Sequence, residues 1–200
     1  MDQPCCVSNR SLISVNHLAA FLQVALRSIF GLLCLVSVLW LSMSPATATE
    51  LSALKHVENA ELVGKARLKV MLWKVFDAEL YAPNGQYGKQ QPFALSLTYL
   101  RNLKGAKIVE STINELRAQG MQDESALTDW ATQLQDIFPD VGKGSNITGV
   151  RDAEGHTLFY CDNLACGSVS DPDFTNRFFD IWLGEATSKP AFRKKLLNET

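Results

Sequence analysis

Residues 66–81 read ARLKVMLWKVFDAELY, a stretch without glycine, proline or asparagine. Its side chains alternate along the chain, which is typical of a long β-strand with one buried face. We therefore predict that residues 61–82 form one or two long strands. The second face mixes charged groups with large aromatic rings, so it meets either solvent or a ligand. The apolar set is Leu68, Val70, Leu72, Phe76, Ala78 and Leu80, and the mixed set is Arg67, Lys69, Trp73, Asp77, Glu79 and Tyr81.

The rest of the chain predicts a β half, two helices, a β-hairpin and two closing helices. Asp123 or Ser125 is suited to cap the second helix, and Asp171 followed by a proline is suited to start the third. A contiguous sheet backed by helices is an α+β arrangement. Beyond residue 82 the predicted elements are a strand over 93–100, helices over 104–119 and up to Pro139, strands over 146–151 and 157–160 with a return through Ser168, a helix from Asp171 and a helix from Pro190.

The amino-terminal region has the pattern of an export signal. A continuous apolar run over residues 29–43 follows Arg27, and Ala46 and Ala48 satisfy the small-x-small rule for cleavage. We predict that residues 1–48 are a signal peptide, that 49–200 form one domain, and that this domain is periplasmic, with no stable membrane insertion after cleavage. The alternative is an uncleaved inner-membrane anchor, although a spanning helix needs about 20 apolar residues.

Charge and cysteine content limit the classes of partner. The formal net charge is −2, which argues against a nucleic-acid partner because such a partner requires a clustered basic face. Outside residues 1–48 the cysteines are Cys161 and Cys166, separated by DNLA, and a tight hairpin in an oxidising compartment would bring them into disulfide range. The alternative is a metal site that adds His156, but its spacing does not fit structural zinc and no fourth ligand is nearby. We predict a disulfide, and no metal or cofactor.

None of the strong catalytic motifs occurs in the sequence. It has no Gly-x-Ser-x-Gly elbow, no phosphate-binding glycine loop and no His-Glu-x-x-His helix. Arg67 is the most informative polar residue, because a guanidinium on a largely apolar sheet can hold a carboxylate or an enolate. Three roles are open for it: a solvated surface charge, a half-buried partner of Glu61 or Asp77, or the cationic end of a ligand pocket. Tyr99 and Arg101 form a second polar and aromatic pair near a strand end.

Four segments in order resemble the bacterial exported branch of the chalcone isomerase-like family. The resemblance spans about residues 60–197, and it implies an open-faced β-sandwich with a large antiparallel sheet, layered helices and a ligand cleft between them. The segments are VGKARLKVMLWKVFDAELYAPNG, PFALSLTYLRNLKG, DIFPDVGKGSNITGV and FTNRFFDIWLG.

The resemblance also implies site positions, which this chain fills in an unusual way. Arg67 falls near the arginine that holds the phenolate in plant chalcone isomerases. Phe76 and Ile108 fall where those enzymes carry a threonine and a tyrosine that stabilise the enolate. Thr175 matches a later hydroxyl, while a lysine and an asparagine would fall near Ser111 and Glu115. Loss of two such hydroxyls would slow the plant reaction by several orders of magnitude.

These departures favour binding over catalysis. Non-catalytic relatives in the resembled family bind fatty acids through an arginine and a tyrosine. We therefore expect a hydrophobic ligand with a carboxylate, held by Arg67 and Tyr99 at its polar end, with Phe76, Ile108 and Thr175 at the same site. The alternatives are an isomerase or lyase that acts on an enone, and a structural or interaction module whose cleft is collapsed. In an unbroken strand Arg67 and Phe76 face opposite sides, so a shared cleft requires a bulge or crossover between them.

Overall fold

The computed structural model describes residues 51–199, so the predicted export segment over residues 1–48 lies outside the described residues. Six strands form one antiparallel sheet in which the strands follow one another in chain order. The predicted α+β fold with a large antiparallel sheet and layered helices is confirmed. The strands are β1 (Ala60–Val70), β2 (Trp73–Pro83), β3 (Phe93–Tyr99), β4 (Asn146–Arg151), β5 (Thr157–Cys161) and β6 (Leu164–Val169).

Four helices cover one face of the sheet, which we call the inner face. They are α1 (Gly105–Ala118), α2 (Glu124–Ile137), α3 (Pro172–Leu183) and α4 (Pro190–Leu196). Helix α4 contacts β1 and β2, α3 contacts β5, α2 contacts β6, and α1 contacts both α2 and α3. Most of the buried apolar side chains form one continuous core between the inner face and these helices.

The helix boundaries follow from local side-chain chemistry. Asp123 accepts hydrogen bonds from two backbone N–H groups of α2, and Asp171 does the same for α3, which has Pro172 at its first turn. Both caps were predicted from the sequence. Pro190 opens α4 in the same way. These caps satisfy donors that the helices cannot satisfy internally, and they fix where each helix begins.

The opening stretch forms a hairpin, not a single strand. β1 and β2 are joined by Met71 and Leu72, and the register pairs Leu68 with Phe76 and Arg67 with Asp77. The alternation of side chains therefore continues across both strands, with Leu68 and Phe76 on the inner face. A register shift follows Leu68, where β2 contributes one extra residue.

The outer face of the sheet is covered only in part. A short 3-10 helix, Ser52–His56, contacts β3, β4 and β5 and contributes Ala53 to a small second cluster of buried side chains. At the far side of the sheet, Cys161 of β5 and Cys166 of β6 form the predicted disulfide, with 5.7 Å between their Cα atoms. The outer face of β1 and β2 remains exposed and charged.

Candidate functional site

An apolar cavity of about 430 Å³ lies between the inner face of the sheet and helices α1 and α3. Its volume falls within the range of about 300–1,000 Å³ that small-molecule sites occupy. Strand alternation supplies one wall, since residues two apart on a strand share a face. The sheet contributes Leu68, Val70, Val75, Phe76, Leu95, Leu97 and Ile147, and the helices contribute Ile108, Phe178, Phe179, Ile181 and Trp182.

Two pairs of aromatic rings line this cavity. Phe76 lies edge-on to Trp182, with 5.5 Å between ring centroids, and Phe178 lies edge-on to Phe179 at 5.2 Å. Gly149 of β4 sits beneath that second pair, and a Cβ there would lie 3.3 Å from the Phe179 ring. Glycine therefore lets the rings approach the sheet closely, and the cavity floor is formed by backbone at that point.

Tyr99 places a hydroxyl on the wall of the apolar cavity. Its side chain is 3% exposed, and it points inward from the end of β3, edge-on to Phe76 at 5.8 Å. The hydroxyl makes no hydrogen bond to any of residues 51–199, and burial alone raises the pKa of Tyr99 far above its ordinary value. At physiological pH the group is a neutral phenol. It offers a donor to whatever occupies the cavity.

Other polar groups lie on the rim that α1 forms. Lys107 Nζ donates to Glu110 at 2.6 Å, and the Ser111 hydroxyl donates to the Lys107 carbonyl at 2.8 Å. Glu115 accepts a hydrogen bond from Ser188 at 2.9 Å, and one of its oxygens lies 3.9 Å from Lys189 Nζ. Each of the two lysines therefore has a carboxylate neighbour, and the rim carries polar groups of both signs.

The structure brings together three of the five side chains expected at the ligand site. Phe76, Tyr99 and Ile108 all line the cavity. Thr175 is buried elsewhere: its hydroxyl lies 2.8 Å from the Thr157 hydroxyl and also bonds a backbone carbonyl within its own helix. Thr175 therefore satisfies a polar contact between α3 and β5 and does not reach the cavity.

Arg67 also lies outside the cavity, which departs from the expectation that it forms the cationic end. Its guanidinium donates two hydrogen bonds to Asp77, at 2.5 and 2.6 Å, on the outer face of the hairpin. This contact holds the pKa of Asp77 below its usual range. The physical reason is alternation, because Leu68 faces inward and its neighbour Arg67 must face outward. Pairing with Asp77 was one of the three roles left open by the sequence.

Arg67 borders a larger depression of about 930 Å³ between the edge strand β1 and helix α4. This depression is wide open, and its walls carry Lys65, Lys69, Lys74 and Glu79 as well as Arg67. Such a surface cannot remove an apolar chain from water. The smaller cavity is therefore the better candidate for a hydrophobic ligand.

Sequence reasoning did not single out three cations near the inner face. Lys107 belongs to α1 and Lys189 directly precedes α4, so only the tertiary fold brings both to the cavity rim. Arg151 lies two residues beyond Gly149 on the same face of β4, is buried, and donates to Gln90 Oε1 at 3.0 Å and to the Asp152 carbonyl at 3.1 Å. None of the ion pairs within residues 51–199 includes Arg151. An arginine that ends the alternating strand NITGVR was the available signal.

Two further features bear on the class of protein. Within the described part of the chain, no group of three or more histidine, cysteine, aspartate or glutamate side chains is arranged to hold a metal ion. None of the helices in residues 51–199 combines the length and apolar character needed to cross a membrane.

Comparisons with known proteins give a family match and a number of solved structures of similar fold. Residues 49–198 match the family model described as chalcone isomerase-like. The fold is similar to the crystal structure of a fatty-acid binding protein from Arabidopsis thaliana, with a TM-score of 0.55 and 16% identity over 70% of this chain and 87% of that one. At this identity the likeness concerns the fold alone. No curated protein matches the sequence.

Proposed function

Because the chain belongs to the chalcone isomerase-like family, we propose that it is a non-catalytic periplasmic protein that binds a fatty acid or a similar amphipathic carboxylate. One observation carries this proposal: the unpartnered hydroxyl of Tyr99 lies on the wall of an apolar cavity of about 430 Å³. The hydroxyl opens onto the cavity, and the oxygen of a bound ligand would accept its hydrogen bond.

The walls of the cavity suit an aliphatic chain. Apolar strand residues form one side of the cavity and the phenylalanine rings of α3 form the other. An aliphatic chain between them is therefore shielded from water on both sides. Burial of each methylene contributes about 0.8 kcal/mol. Several methylenes together would supply most of the affinity, and the polar groups would set the orientation.

The polar end of the ligand is assigned to Tyr99 with Lys107 and Lys189 on the rim. The phenol donates a hydrogen bond, and each lysine ammonium, which has one carboxylate neighbour, has further N–H donors for a ligand carboxylate. This assignment replaces Arg67, whose donors are already engaged by Asp77 on the other face. The solved fatty-acid binding protein of similar fold supports the same ligand class by analogy.

The side chains that line the cavity argue against an isomerase function. Phe76 and Ile108 stand where the family's enzymes place hydroxyls, and both line this cavity. Catalysis of enolate formation needs donors aimed at the developing charge, and hydrocarbon side chains cannot donate. The interaction-module alternative predicts a collapsed cleft, whereas this cleft remains open. A spectrophotometric assay of chalcone cyclisation separates the two classes: turnover above background would contradict the binding role.

Two features support the proposed location. The amino-terminal pattern predicts a signal peptide over residues 1–48, and a disulfide between Cys161 and Cys166 forms and persists in an oxidising compartment such as the periplasm. The alternative, an uncleaved anchor, concerns residues outside those described. Amino-terminal sequencing of the protein recovered from the exporting cell distinguishes a cleaved chain from an anchored one.

Native mass spectrometry after gentle purification tests the ligand assignment. We expect adducts with the mass of fatty acids, or adducts that form when a saturated fatty acid is added. The test variant is Ile108→Trp, whose larger side chain fills the cavity from α1. It should remove the adducts while the circular dichroism spectrum stays unchanged. Wild-type protein that carries no adduct and takes up no added fatty acid would refute the proposal.

A further inference from the structure

The turn between β1 and β2 exposes four consecutive apolar residues, Val70, Met71, Leu72 and Trp73, which we call the hairpin tip. Met71 is 90% exposed, Leu72 is 96% exposed and Trp73 is 65% exposed. Within residues 51–199 six large apolar side chains are exposed, and four of them are these neighbours. A contiguous exposed patch marks an interaction surface, whereas single exposed apolar residues are ordinary.

The turn itself contradicts ordinary hairpin chemistry. Two-residue hairpin loops favour asparagine, aspartate and glycine, because these residues tolerate positive φ. Here Met71 adopts φ 54°, a left-handed conformation that is costly for its side chain. The sequence therefore places bulky apolar side chains at a position where a polar turn would fold more favourably. Neither the packing of the core nor the turn geometry explains that choice.

Unpaired positive charges flank the hairpin tip. Lys69 and Lys74 stand directly opposite each other in the register of β1 and β2. Like charges in a cross-strand pair are destabilising. No carboxylate of residues 51–199 lies within 4.0 Å of either ammonium, because the neighbouring Asp77 is engaged by Arg67. A third cation, Arg101, stacks over the Trp73 ring at 5.2 Å.

We propose that the hairpin tip docks into the headgroup region of an anionic lipid bilayer. Tryptophan is enriched at membrane–water interfaces, and exposed apolar side chains flanked by lysine and arginine are the pattern of peripheral membrane attachment. Anionic headgroups would neutralise the Lys69 and Lys74 pair. A tip-to-tip dimer would instead bring four lysines together and increase the repulsion.

Docking at this point would also orient the ligand cavity. Val70 belongs to the hairpin tip and also lines the cavity. Val75, near the start of β2, lines the cavity as well. A bilayer in contact with the tip would therefore lie beside the cavity wall. This consequence rests on the proposed function, whereas docking itself rests only on the hairpin tip and its cations, so the two can fail separately.

Trp73 reports directly on docking. The fluorescence of Trp73 is isolated by subtracting the spectrum of full-length Trp73→Phe from that of the full-length wild type. Vesicles of phosphatidylcholine with phosphatidylglycerol should shift this difference emission to the blue, and hydrogen exchange should slow in the peptide that contains the hairpin tip. Vesicles of phosphatidylcholine alone, or anionic vesicles at high ionic strength, should give a much weaker response.

Matched variants separate the contributions of the lysine charges and of the apolar side chains to vesicle binding. Lys69→Gln with Lys74→Gln should weaken partitioning about 30-fold, a change that converts to about 2 kcal/mol at 1.4 kcal/mol per tenfold. Leu72→Ser should weaken it as well. Leu164→Ser is the control, because Leu164 is 75% exposed at the tip of another hairpin.

Four results would overturn the docking proposal. The first is an unchanged Trp73 emission with anionic vesicles. The second is equal binding to neutral vesicles, and the third is an equal loss of binding in Leu164→Ser. The fourth is a concentration-dependent shift without lipid, which would assign the hairpin tip to self-association.

Discussion

Removing the Tyr99 hydroxyl should weaken ligand binding without weakening the fold. In the unliganded protein this hydroxyl bonds to none of residues 51–199, so Tyr99→Phe breaks no intramolecular contact of the described domain. A hydrogen bond to a charged group contributes about 1.5–3 kcal/mol. If the phenol donates to a carboxylate, Tyr99→Phe should therefore raise the dissociation constant of a fatty acid about 10- to 100-fold.

The same substitution should leave stability almost unchanged. The hydroxyl makes no hydrogen bond to residues 51–199, so its removal breaks no intramolecular bond of the described domain, and the free energy of unfolding should stay within about 0.5 kcal/mol of wild type. Tyr87→Phe is the matched control. Tyr87 is also largely buried, with its ring 5.1 Å from Phe93, but it does not line the cavity.

Isothermal titration calorimetry with a saturated fatty acid and its methyl ester measures the interaction. In wild type the acid should bind more tightly than the ester, and in Tyr99→Phe this preference should shrink. The reasoning fails if Tyr99→Phe binds the acid as tightly as wild type does, or if Tyr87→Phe loses as much affinity. A fall of several kcal/mol in the stability of Tyr99→Phe would show that the hydroxyl has a structural partner.

Four further predictions follow from the contacts of the fold. Arg67→Ala should leave the affinity for a fatty acid unchanged in the same calorimetric assay, because its guanidinium lies on the outer face with Asp77. Gly64→Ala should destabilise the fold by about 2 kcal/mol in urea titrations, since the new Cβ would lie 2.4 Å from the Lys195 carbonyl oxygen, whereas Gly142→Ala meets nothing closer than 3.6 Å and should be tolerated. Reduction of the disulfide that Cys161 makes should cost about 2 kcal/mol, because the closed loop is short, and Cys161→Ser should abolish the response to reductant. Burial raises the pKa of Tyr87 to about 12 from 10.0, so its contribution to stability is present below pH 10 and is lost as pH rises through 12. In urea titrations at alkaline pH, the free energy of unfolding should therefore fall less steeply with pH in Tyr87→Phe than in wild type.

Much of the fold could be predicted because local chemistry determined it. Asp123, Asp171 and Pro190 mark helix starts through capping and fixed φ, and the structure has helices at all three. The disulfide followed from two cysteines on the arms of a tight turn. In each case the relevant contacts lie within a few residues along the chain.

The β1–β2 turn could not be placed from the sequence for the opposite reason. Its two central residues, Met71 and Leu72, carry no turn signal, and Leu72 continues the apolar alternation. A bilayer-facing role for the hairpin tip would explain why turn chemistry is missing there. Because the position of the turn could not be predicted, the sequence did not determine whether Arg67 and Phe76 lie on the same face of the sheet.

Residues of the candidate site could be named from the sequence only where their strand position or the family resemblance identified them. Phe76, Tyr99 and Ile108, which were named from the sequence, all line the cavity, and their role in binding a ligand stays a prediction. Lys107 and Lys189 are separated by most of the domain, and only the tertiary fold brings them to one rim. Pattern and spacing carry no information about such tertiary contacts.

A crystal structure of the protein with a saturated fatty acid tests the central claim most directly. The account predicts electron density for the aliphatic chain between the sheet and α3, with a carboxylate oxygen within hydrogen-bond distance of Tyr99 Oη. Density that ends instead beside Arg67 on the outer face, or a cavity that stays empty at saturating ligand, would contradict it.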